Sequence, residues 1–519
     1  MTIDLARTDS GILRGSVERG GVVAFRGVPF AAPPIGERRF APPAPPEKWD
    51  GERAAVRFGP SSIQNVDPLS MVMPGAERNY YSPATAVFDE DCLYANIFTP
   101  GVDDHARPVL VWIHGGGFIT GSGSAEWYDG TNLASKNDVV VVAINYRLGI
   151  LGQLFLGDVD ESATNHGLRD MIAALVWVRA NIAAFGGDPG NVTIFGQSAG
   201  GMAVSALVVS PLAQGLFNRA IVQSGNVDNF VAVPDALTIR QGVLDALRIS
   251  SGNLLEQLRD VSTLRLLDVQ RTVQPHMFPV ADGVSVPVES LGAIRAGKAA
   301  NVPLLIGNTG AENKLFHLIS LPRPKPGFVL ERGLEALLGG GSAELAVQGA
   351  ALYREGSTRT DADLWDLATS DAGWVLASRR MADAHAGAGR PTYMFDFAIE
   401  STALDGVVGA AHEVDVPFVF DALDKLGVEE LLGTELVADP EARTLAERVA
   451  AAWSSFARDG VPTLASIEAW PRYEVDRRAT VILDKTQSIA IEHDGAKLDF
   501  WQDHGPDHAL LVALSVVPE

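Results

Sequence analysis

The pentapeptide Gly-Gln-Ser-Ala-Gly at positions 196–200 lies between two segments of different character. The β-branched and aromatic run Val192–Phe195 stands directly before it, and small apolar residues follow it. A buried strand that breaks at Gly-x-Ser-x-Gly and re-enters as a helix must turn sharply, and glycine on both sides of the serine leaves room for the turn. The pattern therefore predicts a strand–turn–helix unit with the Ser198 hydroxyl exposed at its tip, which is the layout of a nucleophile elbow.

A second glycine-rich segment follows another apolar run. Val109–Ile113 is predicted to be a buried strand, and it continues directly into His114-Gly-Gly-Gly-Phe118. Such a loop supplies oxyanion-hole donors in lipases and esterases, in the same chain order relative to the elbow. The alternatives are a flexible loop or a phosphate cradle. Neither a G-x-G-x-x-G nor a G-x-x-x-x-G-K-[ST] pattern is present, so a nucleotide site is disfavoured.

The order of apolar runs predicts an α/β fold. Further strands are expected in the runs Val139–Ile144, Ala220–Gln223, Pro303–Ile306 and Thr392–Phe397. Because these runs do not alternate with polar residues, they suit strands buried on both faces of a mainly parallel sheet. The spacing of apolar residues predicts a helix over Leu168–Ala184, which the Gly-Gly-Asp-Pro sequence at 186–189 ends.

The sequence predicts one α/β-hydrolase domain over residues 1–519, with a mostly parallel central sheet flanked by helices. The runs Gly11–Val17 and Val22–Phe25, which precede the proline-rich stretch Pro33–Pro46, predict a small N-terminal antiparallel sheet. Helical insertions that cap the sheet are expected at about 226–300 and 326–390.

Charge and cysteine content narrow the classes of partner and compartment. The net charge of -23 disfavours nucleic acid and anionic membranes as partners, because phosphate neutralisation needs an excess of Lys and Arg. The longest apolar stretches, Val139–Ile144 and Ala509–Leu514, are too short to span a bilayer. The N-terminal residues show no secretory signal pattern, and the single cysteine, Cys92, cannot form an intrachain disulfide. A cytoplasmic protein, a monomer or a homodimer, is expected.

A serine nucleophile needs a base and a carboxylate that orients the base, and in α/β-hydrolases the chain order is Ser, then Asp or Glu, then His. His412 lies in a loop of small residues after the strand Thr392–Phe397, and Glu312 follows the strand Pro303–Ile306. Loops beyond strand ends carry the chemistry of α/β sheets. Ser198, Glu312 and His412 are therefore the predicted catalytic residues. The alternatives are His114 as the base and Asp282 or Asp415 as the acid.

These segments together resemble the type-B carboxylesterase family, which includes the cholinesterases and bacterial p-nitrobenzyl esterases. The resemblance extends through nearly the whole chain, and this sequence resembles an intracellular bacterial member. It rests on ordered blocks at 25–31, 90–96, 114–118, 145–149, 185–200, 409–420 and 470–473.

The resemblance implies the same triad, an oxyanion hole from the N–H groups of Gly116, Gly117 and Ala199, and a supporting role for Ser224 near the triad acid. Three features depart from the family pattern. Gln197 precedes the nucleophile where many members carry Glu, Ala-Glu-Asn at 311–313 replaces the commoner Asp-Glu-Gly, and Cys92 has no partner for the disulfide of secreted relatives.

The expected function is serine carboxylesterase activity on small to medium, largely apolar esters, with no metal and no cofactor. The alternatives are carbamate or amide hydrolysis by the same triad and, more remotely, a non-catalytic binding module. Aromatic and histidine side chains near the expected mouth are the candidate substrate pocket: Phe118, Phe316, His317, Trp374 and Phe418.

Overall fold

The computed structural model describes residues 4–65, 87–250, 252–273, 276–319, 324 and 327–506. Strands within these ranges are β1 (Leu5–Thr8), β2 (Gly11–Arg14), β3 (Ser16–Val17), β4 (Val23–Pro29), β5 (Glu52–Ala54), β6 (Ser61–Ser62), β7 (Phe88–Asp89), β8 (Tyr94–Thr99), β9 (Arg107–Ile113), β10 (Val140–Ile144), β11 (Gly187–Gln197), β12 (Arg219–Gln223), β13 (Val231–Ala232), β14 (Val280–Ala281), β15 (Leu304–Thr309), β16 (Thr392–Phe397), β17 (Thr480–Leu483) and β18 (Ser488–Ala490).

The helices in the same ranges are α1 (Thr131–Asn137), α2 (Gly149–Gln153), α3 (His166–Asn181), α4 (Ala199–Val209), α5 (Val233–Leu247), α6 (Leu254–Asp260), α7 (Thr263–Val273), α8 (Ser290–Arg295), α9 (Asn313–Ile319), α10 (Leu330–Leu337), α11 (Ala343–Arg354), α12 (Asp361–Ser370), α13 (Leu376–Gly387), α14 (Val416–Val419), α15 (Val428–Leu432), α16 (Thr434–Ala438), α17 (Pro440–Asp459) and α18 (Gly495–His504). A π-helical turn, Asp371–Val375, joins α12 to α13. No helix in the described ranges has both the length and the apolar composition needed to cross a membrane.

Eleven strands form the central sheet, in the order β18-β17-β16-β15-β12-β11-β9-β10-β8-β4-β3. The seven strands from β17 to β10 pair in parallel. Antiparallel pairing adds β8, β4 and β3 at one edge and β18 at the other. The predicted α/β-hydrolase architecture with a mostly parallel sheet is confirmed.

The sheet is buried on both faces, as the unbroken apolar runs predict. On β9, Val109, Val111 and Ile113 pack into one hydrophobic cluster. The intervening Leu110 and Trp112 pack into a second cluster. Because successive side chains of a strand point to opposite faces, each apolar run contributes to two cores at once.

The loops that carry the predicted chemistry all follow neighbouring parallel strands. β9, β11, β12, β15 and β16 lie side by side in the sheet. They end at Ile113, Gln197, Gln223, Thr309 and Phe397. Because parallel strands end at one edge of the sheet, these five ends bring distant segments of the chain together.

The N-terminal sheet differs from its prediction. The small separate sheet joins β1 to β2 antiparallel and β2 to β5 parallel, so it is mixed. The rest of the predicted sheet, β3 and β4, pairs with the central sheet instead. The reason is burial, since Val23, Ala24 and Phe25 are inaccessible to solvent and need cover on both faces.

Most predicted elements have the expected position with shifted ends. The helix predicted at Leu168–Ala184 begins at His166 and tightens into a 3₁₀ turn at Ile182–Phe185 before Gly186. Three strands of the central sheet, β8, β17 and β18, lie outside the predicted runs. The apolar stretch Ala509–Leu514 lies outside the described residues.

Candidate active site

Ser198 stands between the last residue of β11 and the first residue of α4. Its φ of 58° and ψ of −126° are rare for a residue with a side chain. The Ser198 N–H donates to Gln223 O over 2.9 Å, which ties the turn to the neighbouring strand. A Cβ at Gly200 would lie 2.0 Å from Ile113 O, so the turn requires glycine there. The structure therefore contains the predicted strand–turn–helix unit, but Ser198 is buried, only 7% exposed, because the loop after β9 packs against the turn.

His412 and Glu312 meet across 100 residues of chain. His412 Nδ1 lies 2.5 Å from Glu312 Oε2. The His412 N–H also donates to Glu312 O over 3.3 Å, which joins the two loops through the backbone. Both side chains are almost completely buried. A carboxylate at Nδ1 places the ring proton on that nitrogen and leaves Nε2 as the acceptor.

Glu312 remains ionised although it is fully buried. Burial raises the pKa of its carboxyl group, but the positive charge that His412 carries when it is protonated lowers it, and so do the hydrogen bonds from His412 and other donors, so the net pKa lies below the ordinary value. Those donors reach Oε1, the second carboxylate oxygen: Ser224 Oγ at 2.6 Å, Thr309 N at 2.9 Å and Asn308 Nδ2 at 3.2 Å. The site therefore supplies a fixed negative charge behind His412.

No hydrogen bond joins Ser198 Oγ to His412, both of which the structure describes. His412 Nε2 lies 3.2 Å from Gln197 Nε2. An amide N–H that donates to this nitrogen fits a neutral imidazole whose proton is on Nδ1. The glutamine that precedes the candidate nucleophile thus contacts the candidate base directly.

The loop after β9 presents backbone N–H groups beside the elbow. Gly116 has φ +105°, and a Cβ there would meet Thr120 O at 2.3 Å. A Cβ on the neighbouring Gly115 would lie 3.1 Å from Ser198 Cβ, which places this loop against the elbow. Among the described residues, no acceptor is recorded for the N–H groups of Gly116, Gly117 or Ala199. Ala199 is also the first residue of α4, where the N–H groups are unpaired within the helix.

His114, the alternative base, supports this loop. Its Nδ1 lies 2.8 Å from Gly115 O, and its ring stacks on Tyr146 with 4.4 Å between centroids. Burial lowers the pKa of His114 to about 4. A neutral, fully buried ring fits a structural role, and the structure places His412 rather than His114 on Glu312.

Two of the candidate pocket residues lie against His412. The ring centroid of Trp374 is 4.7 Å from that of His412, and the centroid of Phe316 is 5.0 Å from it. The two aromatic rings are nearly parallel, 5.8 Å apart with 8° between their planes. The imidazole therefore has an apolar aromatic side.

The structure places the other candidate pocket residues elsewhere. His317 Nδ1 lies 2.5 Å from Asp366 Oδ1, which fastens α9 to α12. Phe418 packs edge-on against Phe397 in the second core cluster. Phe118 packs in the first cluster, against Tyr146 and Phe278. No ring contact joins these three residues to His412 within the described part of the chain.

The alternative acids have other partners. Asp282 accepts the N–H groups of Val284, Ser285 and Val286, which closes its own loop. Asp415 Oδ2 accepts from Gln223 Nε2 over 2.6 Å. Burial, and to a smaller extent the nearby Glu312 carboxylate, raises the pKa of Asp415 to about 6.

Sequence reasoning missed two asparagines beside the candidate acid. Asn308 donates to Glu312, and Asn313 accepts from the Trp374 indole over 2.9 Å. Asn308 is the last but one residue of β15 and Asn313 follows the strand, so their position at a strand end was a signal. Asn308 bonds to Glu312, four residues along the chain, whereas Asn313 meets Trp374 61 residues away, so only the second pairing lacks a local signal.

Attack on a carbonyl carbon needs groups of the kinds found here. Ser198 lies on a strained turn, the adjacent Gln197 contacts an imidazole that a buried carboxylate orients, and the glycine loop packs against the elbow. Within the described residues, no cluster of three His, Cys, Asp or Glu side chains could hold a metal ion.

Comparison with known proteins identifies close relatives. A sequence model of the "Carboxylesterase family" matches residues 4–501. The chain is 37% identical over 509 residues to the para-nitrobenzyl esterase of Bacillus subtilis. The aligned residues cover 95% of this chain and 97% of that protein. It is 35% identical to a medium-chain fatty acyl-CoA hydrolase precursor of Anas platyrhynchos, over 95% and 91% of the two chains. The crystal structure of carboxylesterase EST55 from Geobacillus stearothermophilus superposes with a TM-score of 0.83 at 37% identity and covers 96% of this chain and all of that one.

Proposed function

This chain belongs to the carboxylesterase family and is a carboxylic ester hydrolase, and we propose that Ser198, His412 and Glu312 are its catalytic triad. The observation that carries the proposal is the 2.5 Å contact between His412 Nδ1 and Glu312 Oε2 beside the strained Ser198 turn. The contact fixes the imidazole with its Nε2 lone pair available to a proton donor.

Acylation begins when His412 Nε2 takes the Ser198 proton and Oγ forms a bond to the ester carbonyl carbon. The proton then passes from His412 to the leaving alcohol as the carbon–oxygen bond of the ester breaks. Water attacks the acyl-enzyme in the same way, and the carboxylic acid leaves. Glu312 remains a carboxylate and stabilises the imidazolium in both steps. For His412 Nε2 to reach the serine, the Gln197 amide must give up its contact with that nitrogen.

The N–H groups of Gly116, Gly117 and Ala199 form the proposed oxyanion hole. Negative charge develops on the former carbonyl oxygen when the tetrahedral intermediate forms, and preorganised N–H donors stabilise it. The free donors at the start of α4 and in the glycine loop support this role. The positive end of the α4 helix dipole adds to it.

We assign small to medium, largely apolar esters as substrates. The ring of Phe316, which is half-buried beside His412, supports this, because it makes the surroundings of the base apolar. Gln197 is neutral, so the site lacks a carboxylate at that position that would attract a cationic alcohol group. A para-nitrobenzyl esterase and a fatty acyl-CoA hydrolase are among the relatives.

Carbamate or amide hydrolysis by the same triad is the second candidate, because the nucleophile and the hole would be common to all three reactions. A non-catalytic binding module is disfavoured, since members of that kind lose a triad residue and this chain has all three. We further propose a cytoplasmic protein, which its single buried cysteine supports, and a monomeric or homodimeric state.

Hydrolysis of p-nitrophenyl esters with acyl chains from C2 to C12 tests the proposal, with Ser198→Ala in parallel. We expect a maximum at short to medium chains and no measurable turnover in the variant. Turnover that survives in Ser198→Ala would exclude this triad. A wild-type protein that cleaves p-nitrophenyl N,N-dimethylcarbamate but none of the esters would favour the second candidate.

A further inference from the structure

Helix α9, which begins directly after Glu312, is joined to α12 by hydrogen bonds at two points. At its first residue, the Asn313 N–H donates to Ser370 Oγ over 2.9 Å. One turn later, His317 Nδ1 contacts Asp366 Oδ1 at 2.5 Å. Ser370 Oγ in turn donates to Asp366 O over 2.5 Å, so both contacts reach the same turn of α12. The segment that carries Glu312 is therefore held at its C-terminal side.

The π-helical turn places Trp374 between this helix and His412. Its indole Nε1–H donates to Asn313 Oδ1 over 2.9 Å. The same ring lies 4.7 Å from His412 by centroids. The wider π turn is a departure from the α-helix on either side, and such departures occur frequently at functional sites. The hydrogen bond to Asn313 thus orients the indole ring of Trp374, which packs against His412.

Asn313 is an unusual residue for this position. Its side chain is completely buried, and its Nδ2 group has no hydrogen-bond partner among the described residues. A buried donor without a partner is destabilising, so the side chain is not explained by stability alone. Its carbonyl oxygen, in contrast, has one well-formed bond, to Trp374. An unpartnered Nδ2 group beside a well-formed Oδ1 bond indicates that the Asn313–Trp374 hydrogen bond has a function in the site.

We propose that Asn313 and Trp374 are positioning residues for His412. The indole, fixed by Asn313 Oδ1, supports one side of the imidazole and keeps it in line with Glu312 Oε2. The inference rests on the proposed triad and adds two residues to it. It is specific to this chain's Ala-Glu-Asn sequence at 311–313, because a glycine at 313 offers no acceptor to the indole.

A positioning role differs from a role in the substrate pocket in its kinetic effect. Asn313 is inaccessible to solvent and Trp374 is 3% exposed, so neither offers much surface to a substrate. Loss of their bond should therefore lower kcat and leave KM nearly unchanged. A residue that lines the substrate pocket would instead change KM.

The test is a double-mutant cycle with Asn313→Leu, Trp374→Phe and the double variant. Asn313→Leu keeps the branched shape with the same number of side-chain heavy atoms and removes the acceptor, and Trp374→Phe keeps an apolar ring and removes the donor. We expect each to lower kcat about tenfold, with the double variant no worse than about twentyfold, because both changes remove the same bond. Trp470→Phe is the matched control, since it removes another buried indole bond, to Met394 O, without a recorded contact to His412.

The downfield proton NMR signal of His412 Nδ1–H provides a second readout, assigned by its loss in His412→Gln. We expect this signal to shift or broaden in Asn313→Leu and Trp374→Phe and to stay unchanged in Trp470→Phe. Additive effects on kcat, an increase in KM alone, or an unchanged NMR signal would overturn the inference. If these variants behave like wild type while Ser198→Ala is inactive, only the positioning role fails; if Ser198→Ala is active, the triad itself fails.

Discussion

Ser224 Oγ donates to Glu312 Oε1 over 2.6 Å, while the other oxygen of the same carboxylate contacts His412. The two carboxylate oxygens of Glu312 therefore have different partners. One is fixed by donors from the protein, and the other orients the base. Ser224 has φ 50° at the end of β12, one strand away from the elbow, so the sheet itself sets this contact.

Ser224→Ala should weaken the hold on Glu312 without removing the triad. Thr309 N and Asn308 Nδ2 still reach Oε1, so we expect kcat to fall about tenfold, the effect of one lost hydrogen bond to a charged group. Steady-state kinetics with p-nitrophenyl butyrate measures this. Ser285→Ala, which removes a hydroxyl bonded to Asp282 instead of Glu312, is the control. Equal losses in the two variants would contradict a specific role for Ser224.

Glu312→Gln should be far more damaging. The neutral amide neither stabilises the imidazolium nor specifies the Nδ1–H tautomer, and we expect kcat to fall on the order of 10⁴-fold. Asp415→Asn tests the alternative acid and should lose much less activity, because Asp415 bonds to Gln223 rather than to His412. A larger loss in Asp415→Asn than in Glu312→Gln would reverse the assignment.

Gly116→Ala tests the proposed oxyanion hole. The new Cβ would meet Thr120 O at 2.3 Å, so the loop must move and its N–H groups move with it. We expect kcat to fall on the order of 10²–10³-fold. Gly387→Ala has open space around the added methyl group and serves as the control. Thermal unfolding of both variants shows whether a loss of activity comes from the oxyanion hole or from unfolding of the protein. A folded Gly116→Ala enzyme with the kcat of the wild type would exclude this loop as the oxyanion hole.

Gln197→Glu should change the pH dependence of the reaction. A carboxylate at the position of the amide, 3.2 Å from His412 Nε2, favours the imidazolium. We expect the acidic limb of the kcat/KM profile to move upward by about one pH unit. Gln197→Met removes the amide without adding charge and should not produce this upward shift. Profiles of kcat/KM from pH 4.5 to 9 test this. If the acidic limbs of Gln197→Glu and the wild type coincide, the side chain at 197 does not affect the protonation of His412.

The raised pKa of Asp371 predicts that the free energy of unfolding depends on pH. Burial, reinforced by the Asp494 carboxylate, raises its pKa from 3.8 to about 7, against the hydrogen bond from Tyr353 and the positive charges of Lys497 and His493. The folded protein therefore keeps a proton that the unfolded chain loses, and Asp371 contributes stability that is lost as the pH rises from about 4 through about 7.

Asp371→Asn should remove this part of the pH dependence. We expect the difference in free energy of unfolding between the variant and wild type to shift in favour of the variant from pH 5 to pH 8. Urea denaturation at the two pH values measures it, and Asp366→Asn, on the preceding helix, is the comparison. A constant difference for Asp371→Asn would mean that Asp371 ionises normally in the folded protein.

Local patterns in the sequence predicted the elements and the three triad candidates. Unbroken apolar runs give buried strands because both faces of a parallel sheet are covered, and the glycines around Ser198 give the elbow because only glycine fits so close to Ile113 O. Chain order then selected Glu312 and His412 from the many carboxylates and ten histidines. The strands and the elbow each depend on a residue and its immediate neighbours, whereas the triad stays a prediction that rests on chain order.

The tertiary structure decided which side chains meet. Phe418 and Trp374 are both aromatic residues near the site in sequence, yet Phe418 packs in the core and Trp374 packs on His412. Trp374 reaches Asn313 across 61 residues, and Ser16–Pro29 joins the large sheet rather than the small one. The spacing of apolar residues shows which face of a helix or strand is apolar. Only the packing of segments that are distant in sequence determines which other side chains that face contacts.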